Sequence, residues 1–387
     1  MSIGDFQFDN AKIRTATNTR EQVLEGLDGL QERQDVIWLS AKSGLAITHL
    51  YNGKIKAARE SFTILAHMQR KMLGDDSLLH LETLLYLGQS DDCMMDFSAA
   101  VCTWTKASVE ALRLLGPTNW QYHAAQMWYA AGIAQLDQLD DSLRILRSVL
   151  KRRHDQFGPE DTFASLVQIL IGIVLRMLRR FEESISNLEH VLEVRRESFD
   201  LCDIWRLDVE LALAASYQNA KSPQAAHDIL SKIEADGCIN IPTHFERFCQ
   251  VKHIKGNILA ETGNTDAAIS LFQDTLIQAE KSQDNRTLLW IRLDLAHLLR
   301  WRNGDGDADQ ACMNFDNILK DISGEDEPGF RDEPNPPRLL ALSERVLTLI
   351  RARRHNEACH ELLLGKATWA TPSDLWLWIG ATVICDT

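Results

Sequence analysis

The chain has 387 residues, of which 45% are hydrophobic and 25% charged, and its formal net charge is −14. That acidic balance argues against nucleic-acid binding, because neutralising phosphates needs a basic face. The 8 cysteines show no paired framework, no basic start with an apolar run resembles a leader, and no stretch is long enough to span a bilayer, so a cytoplasmic protein without a membrane span is expected.

Residues 1–18 are polar and are expected to form a flexible N-terminus, after which Thr19-Arg20-Glu21-Gln22 has the capping-box spacing for a helix running to about Gln34. From there a beat sets in. Ala58, Ala100, Ser142, Ser184, Ala226 and Ala268 stand 42 residues apart, followed with looser spacing by Ala311 and Ala358. Twelve residues before each of the first six lies a second small residue: Ala46, Gly88, Ala130, Gly172, Ala214 and Gly256. Four residues after each of the eight comes a bulky one: Phe62, Trp104, Leu146, Leu188, Leu230, Phe272, Phe315 and Leu362. Small residues facing each other let two helices approach closely, and the bulky residue one turn on fills the wedge beside them. The beat therefore predicts stacked helical hairpins sharing one continuous core.

Punctuation agrees. Gly116-Pro117 and Gly158-Pro159 break helices, and Thr118-Asn119-Trp120-Gln121 carries a capping-box spacing with Thr118 as the cap. Between those breaks and the next repeat, Leu166, Ile169, Leu170, Ile173, Val174 and Met177 recur at helical spacing. Asp305-x-Asp307-x-Asp309 with Asp316 imitates a calcium loop, but Gln310 stands where that loop needs glycine, so a solvated turn is expected. Cys238, His244, Cys249 and His253 mimic a zinc set whose first pair is spread across Ile241-Pro242; no metal site is expected. Residues 324–337 form an acidic, proline-rich loop. Thr371-Pro372-Ser373-Asp374 then starts an apolar helix over 372–385, in which Trp378 holds the place of Trp120, Trp205 and Trp290. A terminal helix apolar on every face needs cover. Trp376, Trp378, Ile379 and Val383 are the expected oligomer or partner patch, through which a homodimer would form.

The lattice resembles the tetratricopeptide repeat (TPR) family, in which a small residue at the eighth place of helix A meets an alanine at the twentieth place, on helix B. Leu87-Gly88 and Ala267-Ala268-x-x-x-Phe272 carry the resemblance. A second marker keeps step in Leu73-Gly74-Asp75, Leu115-Gly116-Pro117, Phe157-Gly158-Pro159 and Phe199-Asp200, and with the 42-residue period it resembles the long-repeat variety of kinesin light chains and of the sensor arms of NTPase receptors. The chain departs from the family in having Ser142 and Ser184 for alanine, and Asp137 and Arg179 where glycine usually turns the hairpin. The resemblance implies an all-α, right-handed α-solenoid (superhelix) of about eight antiparallel helix pairs plus N- and C-terminal helices, forming a single domain over 19–387.

It also implies a concave groove lined by helix A. Carried over place by place, the groove offers an apolar wall (Ala124, Met127, Ala131, Ala134, Leu166, Ile169, Ile173, Leu211, Ala215) and a polar cluster (Gln250, His253, Asn257, Glu261, His297, Arg300, Glu344). The wall competes with a plain reading as core, and the cluster with a reading as ordinary wet surface. A chaperone-tail clamp is disfavoured, since only Asn257 fits it. No nucleophile elbow, His-Glu-x-x-His or phosphate loop occurs, and no cofactor is expected. Three functions follow: a non-catalytic scaffold or adaptor holding a peptide or helix of a partner protein; an enzyme or small-molecule binder enclosing an apolar ligand, with His253, His297 and Glu344 as acid–base candidates; or a regulatory subunit of an NTPase-type receptor.

Overall fold

The computed structural model describes residues 36–51, 54–74, 76–158, 161–194, 203–237, 239, 245–279, 285–323, 336–354 and 357–358. The expected helix over 19–34, most of the acidic loop, Cys238, His244, Leu362 and the C-terminal helix with Trp376, Trp378, Ile379 and Val383 lie outside the described residues. Among the described residues there are 15 helices and no strand. They are α1 (Val36–Tyr51), α2 (Ile55–Leu73), α3 (Leu78–Cys93), α4 (Phe97–Leu115), α5 (Trp120–Gln135), α6 (Leu139–Phe157), α7 (Thr162–Met177), α8 (Phe181–Val194), α9 (Ile204–Asn219) and α10 (Pro223–Ala235). There follow α11 (Phe245–Glu261), α12 (Thr265–Ala279), α13 (Asn285–Arg302), α14 (Asp307–Ser323) and α15 (Pro336–Arg351). Odd-numbered helices are the A members of the pairs and even-numbered ones the B members. The chain divides into two compact units, Met1–Val251 and Lys252–Thr387.

In the first unit the repeat is written into successive helix ends. Ser77, Asn119, Asp161 and Asp203, again 42 apart, cap α3, α5, α7 and α9, their side chains accepting from His80, Gln121, Ala164 and Trp205 backbone N–H groups. The cap of α5 is thus Asn119 and not Thr118: its carboxamide oxygen reaches the N–H two residues on, at 2.8 Å, and takes the place of a capping box. Gly74, Gly116 and Gly158 end α2, α4 and α6 at φ of 78°, 79° and 85°. At the A-to-B turns the left-handed place falls to Met95, Asp137, Arg179 and Lys221, at φ between 60° and 63°. Paired backbone bonds hold each turn; at the third, Arg179 N–H donates to Arg176 C=O at 3.0 Å and Arg180 N–H to Leu175 C=O at 2.8 Å. The second unit uses Gly263, at φ 85°, for the same turn.

The lattice itself is core. All eight small residues from Ala58 to Ala358 are buried, as are the bulky residues from Phe62 to Phe315. Glycine is used where the facing side chain arrives closest: a Cβ on Gly88 would stand 2.4 Å from Trp104, one on Gly172 2.7 Å from Leu188, and one on Gly256 2.2 Å from Phe272. The two serines have a reason as well. Ser142 Oγ donates to Ala130 C=O and Ser184 Oγ to Gly172 C=O, each at 2.7 Å, so each binds the carbonyl of the small residue it faces. A hydroxyl buried at a fully closed contact needs such an acceptor.

Candidate functional site

In the first unit, helix α7 shows how the A helices divide their surface. Gly172 faces Leu188 of α8. Val167, Ile171 and Val174 join Leu143, Leu146 and Val149 of α6 in one core. Leu166, Leu170, Ile173 and Met177 are half-buried, Leu166 and Leu170 touching that core and Leu166 and Ile173 the one shared with α8 and α9. Of the expected apolar wall, Ala124, Met127, Ala134, Ile169 and Leu211 are buried, at 3% to 7% exposure, as parts of the core between repeats. Ala131, Leu166, Ile173 and Ala215 are half-buried, so the face they offer is a narrow stripe. The longer side chains at those places turn inward because successive A helices pack directly on one another, Ile169 of α7 meeting Val209 and Leu213 of α9.

Polar cross-links also join neighbouring A helices of this unit. Ser43 and Thr83 hydroxyls lie 3.1 Å apart between α1 and α3, and Arg247 donates twice to the Asp208 carboxylate at 2.9 and 3.0 Å. Gln250 is half-buried on the last helix of the unit.

The second unit holds the histidines. His253 Nε2 is paired with the Asp294 carboxylate and lies 3.4 Å from the Asn257 carboxamide, while its ring leans on Phe272 at 6.2 Å. His297 repeats the arrangement: its Nε2 lies 3.2 Å from Glu344, which also accepts from Arg300 at 2.6 Å, and its ring leans on Phe315 at 6.3 Å. The 3.2 Å approach is an ion-pair distance without hydrogen-bond alignment. Burial pushes the Glu344 carboxyl up, but His297 and Arg300 outweigh it and hold the group below the usual carboxylate range. Glu261 stands exposed at the end of α11.

Thus five members of the expected polar cluster, His253, Asn257, His297, Arg300 and Glu344, form with Asp294 a ladder linking α11 to α13 and α13 to α15. Asp294, which completes the His253 pair, escaped the sequence reading; it stands 41 residues on, one short of the repeat. Neither histidine is bonded to a hydroxyl or thiol among the described residues. Nor does any group of three or more His, Cys, Asp or Glu suited to a metal occur among them. The carboxylates of the calcium-like run serve arginines: Asp307 binds Arg302 at 2.9 and 2.7 Å, Asp309 pairs with Arg354, and Asp316 with Arg345 at 2.7 Å. No described helix is long and apolar enough to cross a membrane.

Neither a family model nor a curated protein matches the sequence. Among solved structures, a Rap protein complexed with competence and sporulation factor is similar with a TM-score of 0.62 at 14% identity, covering 91% of this chain and 91% of its own. The chain has a TPR-like fold. The kinesin light chain TPR-like repeats of Podosopora anserina match 52% of the chain and 96% of their own at 18% identity, with a TM-score of 0.43. A tetratricopeptide repeat protein of Parabacteroides merdae matches 80% and 98% at 12% identity, with a TM-score of 0.47.

Proposed function

We propose that this protein is a non-catalytic interaction scaffold whose first unit holds a peptide or helix of a partner protein against the half-buried stripe of its A helices. The observation that carries this reading is the stripe itself: Ala131, Leu166, Ile173, Met177 and Ala215 are apolar side chains of α5, α7 and α9 that stay half-buried after the helices have packed, although Leu166 and Ile173 also touch the cores between repeats. A partner chain laid across successive repeats would remove them from water. The Rap structure, solved with competence and sporulation factor, is a precedent for a ligand on such a fold.

The test compares wild type with Ile173→Glu and Ala131→Glu on the stripe, and with Glu182→Lys, whose position on α8 is exposed. Proteins recovered by affinity purification are identified and rebound in purified form. A partner lost by both stripe variants and kept by Glu182→Lys is the expected result; equal binding by all four chains would refute the proposal. A second reading, a small-molecule site in the second unit, draws on the carboxylate partner that each histidine carries, as an acid–base pair requires. His253→Ala with His297→Ala would then abolish a conversion while leaving partner binding intact.

A further inference from the structure

Buried and half-buried arginines of the first unit come with an acid or an aromatic ring: Arg59 with Asp91 at 2.6 Å, Arg153 with Asp161 at 2.7 Å, Arg206 with Glu210 at 3.0 Å, Arg247 with Asp208 at 2.9 Å, and Arg152 over the Tyr122 ring at 5.5 Å. Arg176 does not. It sits in the last turn of α7, one turn beyond both Gly172 and Ile173, half-buried, with its Nε closed off from solvent and without a hydrogen-bond partner. Burial, with no opposing charge beside it, makes its positive form harder to hold than that of an ordinary arginine.

The repeat register explains the isolation. The same place in the flanking repeats holds Ala134, 42 residues before, and Gln218, 42 residues after, and neither carries charge. Of the acids near it in sequence, Glu183 is engaged by Arg180, Glu189 by the Tyr217 hydroxyl and Asp161 by Arg153, while Glu182 stands exposed on α8. A half-desolvated guanidinium is costly unless paired, and among the described residues no acid is paired with it.

We infer that Arg176 is a subsite for a single carboxylate, an Asp or Glu side chain of a bound peptide, flanked in that peptide by apolar residues that lie on Ile173, Met177 and Leu166. This rests on the scaffold reading and names the chemistry of its ligand. The planar fork of arginine matches one carboxylate with two parallel hydrogen bonds. The apolar neighbours on the stripe ask for apolar flanks, and the net charge of −14 repels a run of acids.

The experiment selects dodecapeptides from a random phage-displayed library on the full chain, then measures synthetic copies of the winners. The expected winners carry one acid between apolar residues. Replacing that acid by its amide weakens binding about tenfold to a hundredfold, and Arg176→Met weakens the acidic peptide equally but not its amide form, as loss of a charged hydrogen bond worth about 1.5–3 kcal/mol requires. Arg176→Met also shifts the midpoint of urea unfolding upward, since an unpaired charge has been replaced by an apolar chain of similar length. Peptides that lose binding on Ile173→Glu but respond to neither the amide nor Arg176→Met overturn the carboxylate subsite while leaving the scaffold standing. If no peptide depends on Ile173, both fall. A downward shift of the midpoint shows that the guanidinium is used within the fold, and also overturns the inference.

Discussion

Gly88 offers the sharpest test of the lattice. An alanine there puts a Cβ 2.4 Å from Trp104 Nε1, 2.7 Å from Cδ1 and 2.8 Å from Cε2. The indole cannot step aside. It is 1% exposed, its N–H donates to Leu85 C=O at 3.3 Å, a Cβ on Gly132 would already stand 3.1 Å from its far edge, and it stacks on Trp128 at 6.0 Å. Overpacking of this kind costs about 1–3 kcal/mol, while alanine for glycine in a helix interior returns about 1, so Gly88→Ala is expected to lose up to about 2 kcal/mol. Trp104→Leu alone leaves a cavity costing about 2–4 kcal/mol. Together the two changes rebuild the pairing of Ala130 with Leu146, and the double variant is expected to be about 1–2 kcal/mol more stable than the sum of the singles predicts. Urea unfolding gives the overall shift, and hydrogen exchange at α3 and α4 amides localises it, which matters in a repeat chain that need not unfold all at once. Additive effects, or a Gly88→Ala chain stabilised like any open helix glycine, would refute the steric account of the 42-residue beat.

Arg179→Gly relieves a left-handed residue, worth about 1–2 kcal/mol, against about 0.5–1 for the freer unfolded chain, so a gain of about 0.5–1 kcal/mol in thermal or urea stability is expected; a loss would show that the Arg179 side chain does structural work. Asp91 is buried on α3, and burial holds its carboxyl up at about 6 despite Arg59 and Thr103. Because the folded value lies above the unfolded one, the unfolded chain releases its proton first, and wild type should lose up to about 3 kcal/mol relative to Asp91→Asn as pH rises from 4 to 7. Parallel pH profiles of the two chains would sink this expectation. Glu344 has the opposite sign: its folded value is depressed, so its contribution is present above the unfolded value of about 4.3 and is lost as pH falls through the folded one. Glu344→Gln should cost about 1–2 kcal/mol at pH 7 and converge on wild type in acid, read from unfolding midpoints at each pH.

Much of this was legible because repetition turns local chemistry into a pattern. The small–small–bulky lattice and the glycines that end α2, α4 and α6 could be read from spacing alone, since an identical contact made over and over leaves its residues at a constant interval. The serines looked like departures until their hydroxyls were seen on the Ala130 and Gly172 carbonyls. Which expected groove places stay open was not legible: the packing of one A helix on the next buries Met127, Ile169 and Leu211 at one place of the repeat and leaves Ala131, Ile173 and Ala215 half-buried at the next.

Charge was harder still to read from the chain. His253 finds Asp294 41 residues on, Arg247 finds Asp208 39 back, and Arg300 finds Glu344 44 on. None of these intervals is the repeat, because a long side chain reaches up or down its neighbour by a turn and so escapes the register that binds short ones. The amino-acid sequence by itself therefore determined the helix pairs, their period and the steric reason for it. Only the tertiary structure decided which polar groups neutralise one another and which, like Arg176, are half-buried with no partner among the described residues, since that depends on reach and burial and not on spacing.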